Sequence, residues 1–212
     1  DFWRAQNGTN HITPGGKWTP EGAWLADFLA GLAGKEIVEF GCGPGRLAQH
    51  FDPARYLGLD ITPNAIAVAE EWNPGHCFRL VDEDETIGAG ADAVLCHTVL
   101  VHVPDDDLDG VIGRFAAPVV LVNEMLGRRW RRDGTPPVFN REMDEYVAAF
   151  AAHGYALTDA REENYAHYNQ PMTLMEFRKV QPGDLYVSHH HRPAWRDDSH
   201  AGDRRFLQWR PA

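Results

Sequence analysis

Three glycines within five residues, Gly41, Gly43 and Gly45, follow directly on an apolar run from about Glu36 to Phe40 in KEIVEFGCGPGRLAQHF. A strand ending in such a cluster must turn tightly, and it lets another backbone or a ligand come close, because glycine enters conformations closed to other residues. The pattern predicts strand, loop, and a helix from Arg46 onward. RYLGLDITPNAIAVAEEW repeats it, with a strand ending near Asp60, Thr62 as N-cap and Pro63 at the first helical position, where its missing N–H costs nothing.

The alternation continues. EGAWLADFLAGLAG puts Trp24, Leu25, Phe28, Leu29 and Leu32 at helical spacing and stops at Gly34. HCFRLV reads as a third strand running into the acidic loop DEDETIGAGA. DAVLCHTVLV is apolar enough for a fourth strand buried on both faces of a parallel sheet. DDDLDGVIGRFA opens a helix whose carboxylates suit its positive end. PVVLVNEM is a fifth strand, and GRRWRRDGTPPVFNR, with Gly and paired Pro, is a loop. MDEYVAAFAAHGY is a helix ending at Gly154, and YALTDAREEN and MTLMEFRKV are two closing strands without a crossover helix between them. The fold expected is a doubly wound, mostly parallel α/β sheet with helices on both faces and an antiparallel edge pair. Residues 1–180 make the domain, with 1–34 as an N-terminal lid and helix. Residues 181–212, without a clear period, are an extension and not an independent domain.

A chain of 212 residues usually forms one core. Its formal charge of −11 repels phosphates over most of the surface, which argues against nucleic acid and for a small-molecule partner. No uncharged apolar run approaches 18 residues, so no membrane span is expected. The opening DFWRAQNGTNHI lacks a signal-peptide pattern, and Cys42, Cys77 and Cys96 read as reduced thiols; the location expected is cytoplasmic. The cysteine spacing gives no metal site, and the adjacent His189, His190 and His191 point in opposite directions on an extended chain, so no metal is expected.

The glycines lie where an open α/β sheet binds ligands, at the carboxyl ends of its strands. A dinucleotide fingerprint would place its third glycine one residue later. Glu39, two residues before Gly41, would repel a pyrophosphate and attract an ammonium group, which favours an amino-acid-bearing nucleoside. Asp60, at the end of the second strand, can accept both hydroxyls of a ribose. Asp82, with Glu83 beside it, can accept from an adenine amino group, although any acid of DEDE also reads as simply solvated.

VEFGCGPG, LGLDIT, the acid at Asp82 and DAVLCHTVLVHVP together resemble the class I S-adenosylmethionine-dependent methyltransferases over roughly residues 20–180. The resemblance implies a seven-stranded sheet with the last strand antiparallel. It implies Glu39, Gly41, Cys42, Gly43 and Gly45 around the methionyl part of S-adenosyl-L-methionine, Asp60 and Ile61 at the ribose, Asp82 and Glu83 at the adenine, and His97 nearby. Pro44 inside the loop departs from the pattern and removes one backbone donor.

Methyl transfer to a hydroxyl needs a base, and His97 and His102 are candidates on the same rim; either also reads as a packing residue. Glu124, ending the fifth strand, is a candidate to orient a histidine or bind a hydroxyl. Arg128 and Arg129 open the one strongly basic stretch, suited to a carboxylate or phosphate on the acceptor, or to a solvated face or homodimer contact. Trp18, Tyr165 and His167 are candidates for an aromatic wall around a polar, sugar-like or natural-product acceptor. Expected overall is a small-molecule O-methyltransferase. The alternatives are an N-methyltransferase, an NAD-dependent dehydrogenase, and a non-methylating cofactor-binding protein.

Overall fold

The computed structural model describes residue 3 and residues 23–134, 136–165, 170–180 and 207–208. Eight strands form one sheet: β1 (Ile37–Phe40), β2 (Tyr56–Asp60), β3 (Cys77–Leu80), β4 (Ala93–His97), β5 (Val119–Glu124), β6 (Tyr155–Tyr165), β7 (Gln170–Lys179) and the two-residue β8 (Leu207–Gln208). Their order is β3-β2-β1-β4-β5-β7-β6-β8. The first five pair in parallel, and β7 inserts antiparallel between β5 and β6. The seven strands read from sequence are thus present with their antiparallel pair, and β8 adds to the outer edge from the C-terminal stretch that has no sequence period.

Side-chain alternation divides the core in two. Val38, Phe40, Val94, Cys96, Val120 and Val122 face the cluster that holds Leu108, Ile112 and Phe150 from helices α3 (Asp105–Ile112) and α4 (Met143–Ala152). Ile37, Ala93, Leu95 and Leu121 face the other cluster, under Leu29 of α1 (Ala23–Ala30) and Ile66 and Ala69 of α2 (Pro63–Trp72). Successive residues of a strand point to opposite faces, so a run apolar at every position requires cover on both.

Two expectations are corrected. The helix predicted from Arg46 is a single 3-10 turn at Ala48–His50, because Asp52–Pro53 starts a second short turn that leads straight into β2. The fourth strand stops at His97, where Thr98 adopts a left-handed φ of 55°, and the apolar residues beyond form a 3-10 turn at Leu100–His102. Both changes lie at the carboxyl ends of parallel strands. Among the described residues no helix is long and apolar enough to cross a membrane.

Candidate active site

The first cluster sits at the ends of β1, β2 and β3. Glu39 shares its sheet face with Ile37, the partner of Tyr56 on β2, so the Tyr56 hydroxyl reaches along the sheet and donates to Glu39 Oε2 at 2.5 Å. Only 3% of Glu39 is exposed. Burial pushes its carboxyl up to about 8, against the opposing pull of the Tyr56 hydrogen bond and the Arg46 charge, with Asp60 adding a small repulsion. The Gly41 φ is 74°, and a Cβ there would lie 2.0 Å from Val99 Cγ2, so the loop lies against the turn after β4 with no room for a side chain. Cys42 is buried beneath it.

Asp60 braces this loop. Its Oδ2 accepts from Gly43 N at 2.8 Å and its Oδ1 from Thr62 N at 2.8 Å, while burial raises its pKa. The remaining N–H groups are also engaged: those of Gly41 and Cys42 donate to the Leu59 carbonyl at 2.7 and 3.0 Å, and that of Gly45 donates to Cys42 O at 3.0 Å. Pro44 has none. Anion sites of dinucleotide folds depend on loop N–H groups aimed outward and on a helix N-terminus behind them. Here the donors at Gly41, Cys42, Gly43 and Gly45 are bonded inward, and a three-residue turn stands where the helix would be.

Beyond Asp60 a cleft of about 330 Å³ is lined by Ile61, Pro63, Leu80, Val81, Asp82 and Glu83. Leu80 is the one large hydrophobic residue left exposed among those described, at 44%. An apolar floor with carboxylates at its rim suits a flat ring carrying an amino group. Arg114, unmarked by the sequence, holds the acidic loop by donating to the carbonyls of Asp82 and, at 3.0 Å, Glu85.

The second cluster lies at the ends of β4 and β5. His97 is 5% exposed, and Asn123 Nδ2 lies 3.1 Å from its Nδ1. An amide NH₂ only donates, so Nδ1 accepts and the ring proton is on Nε2. Burial, with the Arg46 charge, lowers the imidazole pKa to about 3. A ring with its lone pair engaged and so little basicity does not suit proton abstraction, which corrects the sequence-based role for His97. His102 is the opposite tautomer: its Nδ1 donates to the Pro137 carbonyl at 2.8 Å, which turns the Nε2 lone pair outward from that bond. Its ring meets Trp3 edge-on at 4.8 Å between centroids, and the Trp3 carbonyl accepts from Thr62 Oγ1 at 3.2 Å, linking the two clusters.

Glu124, fully buried, cannot meet a substrate, and its sequence-based catalytic role is corrected accordingly. Its Oε1 accepts from the N–H groups of Val99, Leu100 and Val101 at 3.0, 2.8 and 3.3 Å. Burial raises its carboxyl to about 8 despite those bonds and the Arg141 charge. The arginine loop is likewise turned on the protein. Arg128 binds both oxygens of Glu145, Arg129 lies 5.1 Å over the Trp130 ring, and Arg131 spans both oxygens of Asp105. The expected grip of Arg128 and Arg129 on an anionic acceptor is therefore not assembled. Trp18, His167 and the side chain of Tyr165 lie outside the described residues, as do residues 181–206 of the extension and the histidine run within it.

Residues 38–118 match the family model described as a methyltransferase domain. The chain has the class I Rossmann-like methyltransferase fold, and the matched stretch runs from β1 to the residue before β5. Over 93 residues it is 33% identical to the ubiquinone biosynthesis O-methyltransferase of Cupriavidus pinatubonensis, covering 40% of this chain and 37% of that protein. The Cronobacter sakazakii enzyme of the same name is 34% identical over 93 residues, covering 39% and 37%. The alignments thus span well under half of those relatives. Among solved structures, mitomycin 7-O-methyltransferase superimposes with a TM-score of 0.58 at 23% identity, covering 73% of this chain and 53% of that one. Magnesium protoporphyrin IX methyltransferase from Synechocystis with bound S-adenosylmethionine gives 0.57 at 16%, covering 74% and 77%.

Proposed function

We propose that the chain is an S-adenosylmethionine-dependent O-methyltransferase with a small, polar, hydroxylated acceptor. The observation that carries this reading is the glycine loop. Its N–H groups are bonded inward while buried or half-open carboxylates stand at the strand ends around it, an arrangement hostile to a phosphate and suited to a cationic, hydroxyl-rich nucleoside. Glu39 would face the amino group. Asp60, each oxygen accepting one N–H and keeping acceptor capacity, would hold the ribose, and the Leu80–Asp82 cleft the adenine. The cofactor supplies, when bound, a sulfonium methyl group already activated for attack.

The acceptor side is carried by His102. Its Nε2 takes the hydroxyl proton as the oxygen attacks, and the Pro137 carbonyl, bonded to Nδ1–H, steadies the imidazolium that results. His97 stays neutral, with its Nε2–H buried. The names of the ubiquinone biosynthesis relatives support oxygen as the site of transfer. We assign residues 1–180 to the transferase domain, with 1–34 as its N-terminal lid and helix, a reading supported by the Trp3 contacts with Thr62 and His102; residues 181–212 are an extension. The test is incubation with methyl-labelled cofactor and matched panels of hydroxylated compounds and their amine counterparts. Label on hydroxyls, lost in His102→Ala, is expected. Label on amines alone, undiminished in that variant, would contradict oxygen transfer.

A further inference from the structure

The turn that carries His102 is held from two sides by buried polar groups, Glu124 and Arg141. Glu124 gathers its N–H groups from below, as described. From the other side Arg141, only 2% exposed, donates from Nη1 to the Leu100 carbonyl at 2.9 Å and from Nη2 to the Val103 carbonyl at 2.6 Å. These carbonyls bracket His102 in the chain. The same guanidinium pairs with Asp105 at 2.8 Å, at the start of α3. Arg141 also ends the segment that presents the Pro137 carbonyl to the imidazole, and that segment is tied to the turn by Phe139 N donating to Val101 O at 2.7 Å. A buried arginine with a planar fork can satisfy two carbonyls and a carboxylate at once; a lysine ammonium has neither that span nor that plane.

We propose that Arg141 is a positioning residue that, with Glu124, fixes both the placement of His102 and the tautomer in which its Nε2 is free of the ring proton. One fork sets the distance between the turn and the Pro137 carbonyl, and that distance decides whether Nδ1 keeps its proton. The proposal rests on His102 being the base, but its geometric core does not need the reaction.

Nitrogen NMR of the histidine side chains in the full chain reads the tautomer directly. Wild-type His102 is expected to show the Nδ1–H form, and Arg141→Lys a mixture of tautomers. Its kcat is expected to fall roughly ten- to a hundred-fold with cofactor affinity kept, as misplacement by about an ångström can cause. An unchanged His102 signal in folded Arg141→Lys overturns the proposal. Should that variant not fold, Asp105→Asn, which releases the guanidinium at an exposed position, is expected to give the same spectral change to a smaller degree, and an unchanged spectrum there overturns it too. If the tautomer is lost as expected while His102→Ala retains full methyl transfer, the positioning stands and the assignment of His102 as base falls.

Discussion

Two stretches of the sheet's carboxyl edge, the rim of β1–β3 and the rim of β4–β5, hold the buried acids Glu39 and Glu124, and they are used in contrasting ways. Both end or nearly end a parallel strand, both are almost inaccessible, and burial raises both carboxyls to about 8. Glu39 accepts one hydroxyl bond from Tyr56 and sits beside a loop pressed back by Asp60. Glu124 accepts three backbone N–H bonds to one oxygen and holds a turn in shape. Glu39 lies level with Leu121, three residues short of Glu124; Glu124 faces the protein's own backbone, and on the function proposed above Glu39 faces a ligand. What decides between these roles is the supply of unpaired N–H groups in the neighbouring loop. Those of the glycine turn are taken up by the Leu59 carbonyl, Asp60 and the Cys42 carbonyl, and the left-handed break at Thr98 leaves three for Glu124.

The largest effect should separate the two histidines. His102→Ala is expected to lower kcat by about 10²–10⁴-fold while cofactor affinity stays within about twofold, as removal of a general base does. His97→Ala should keep the pH dependence of kcat and lose mainly affinity and stability. Steady-state kinetics across pH, with calorimetry for the cofactor, reads both, and the reverse pattern would exchange their roles.

Next is the pH dependence of the first rim. Glu39, raised to about 8 between Tyr56, Arg46 and Asp60, must give up its proton to pair with an ammonium. Affinity for S-adenosylhomocysteine should therefore rise with pH towards about 8, by up to roughly tenfold per unit. Glu39→Gln should flatten that rise, and an identical slope in the variant would remove Glu39 from the amino-group site.

The smallest effect concerns stability. In the fold both acids keep their protons at pH values where an unfolded glutamate, with its ordinary value near 4.5, has ionised. Their contribution therefore turns against the native state as pH rises from about 4.5 to about 8. Glu124→Gln keeps an oxygen acceptor and removes one of the two protons from this balance. Its Tm should fall less than the wild type's between pH 5 and 8, at roughly 2–4 °C per kcal/mol. A steeper fall would show that the three N–H bonds require the ionised carboxylate.

The sequence made the first rim more legible than the second. Glycine spacing, the acid before it and Asp60 after the next strand are local signals, each tied to a strand end that hydrophobic patterning locates. Asp60 nonetheless braces Gly43, which spacing alone could not reveal. The short turn in place of a helix followed from the closeness of Asp52–Pro53, a signal present in the sequence but overridden by the strand-loop-helix pattern. At the second rim the decisive contacts join segments far apart in the chain: Asn123 to His97, Pro137 to His102, Arg141 to Leu100 and Val103. A single arginine before a helix has no pattern to announce it. The arginine run, conspicuous in sequence, spends Arg128 and Arg131 on surface ion pairs and Arg129 on a ring. Such groups are worth little energetically and only keep the loop in place.

On the function proposed above, the glycine loop and its carboxylates form a pocket for a cationic nucleoside. Calorimetric titration of the wild-type chain and of Asp60→Ala with S-adenosylhomocysteine and, separately, with NAD tests it most directly. One-to-one binding of S-adenosylhomocysteine, weakened by roughly 1–3 kcal/mol in the variant, with no binding of NAD, is the expected result. Binding of NAD in its place, or equal affinity of wild type and variant for S-adenosylhomocysteine, would contradict it.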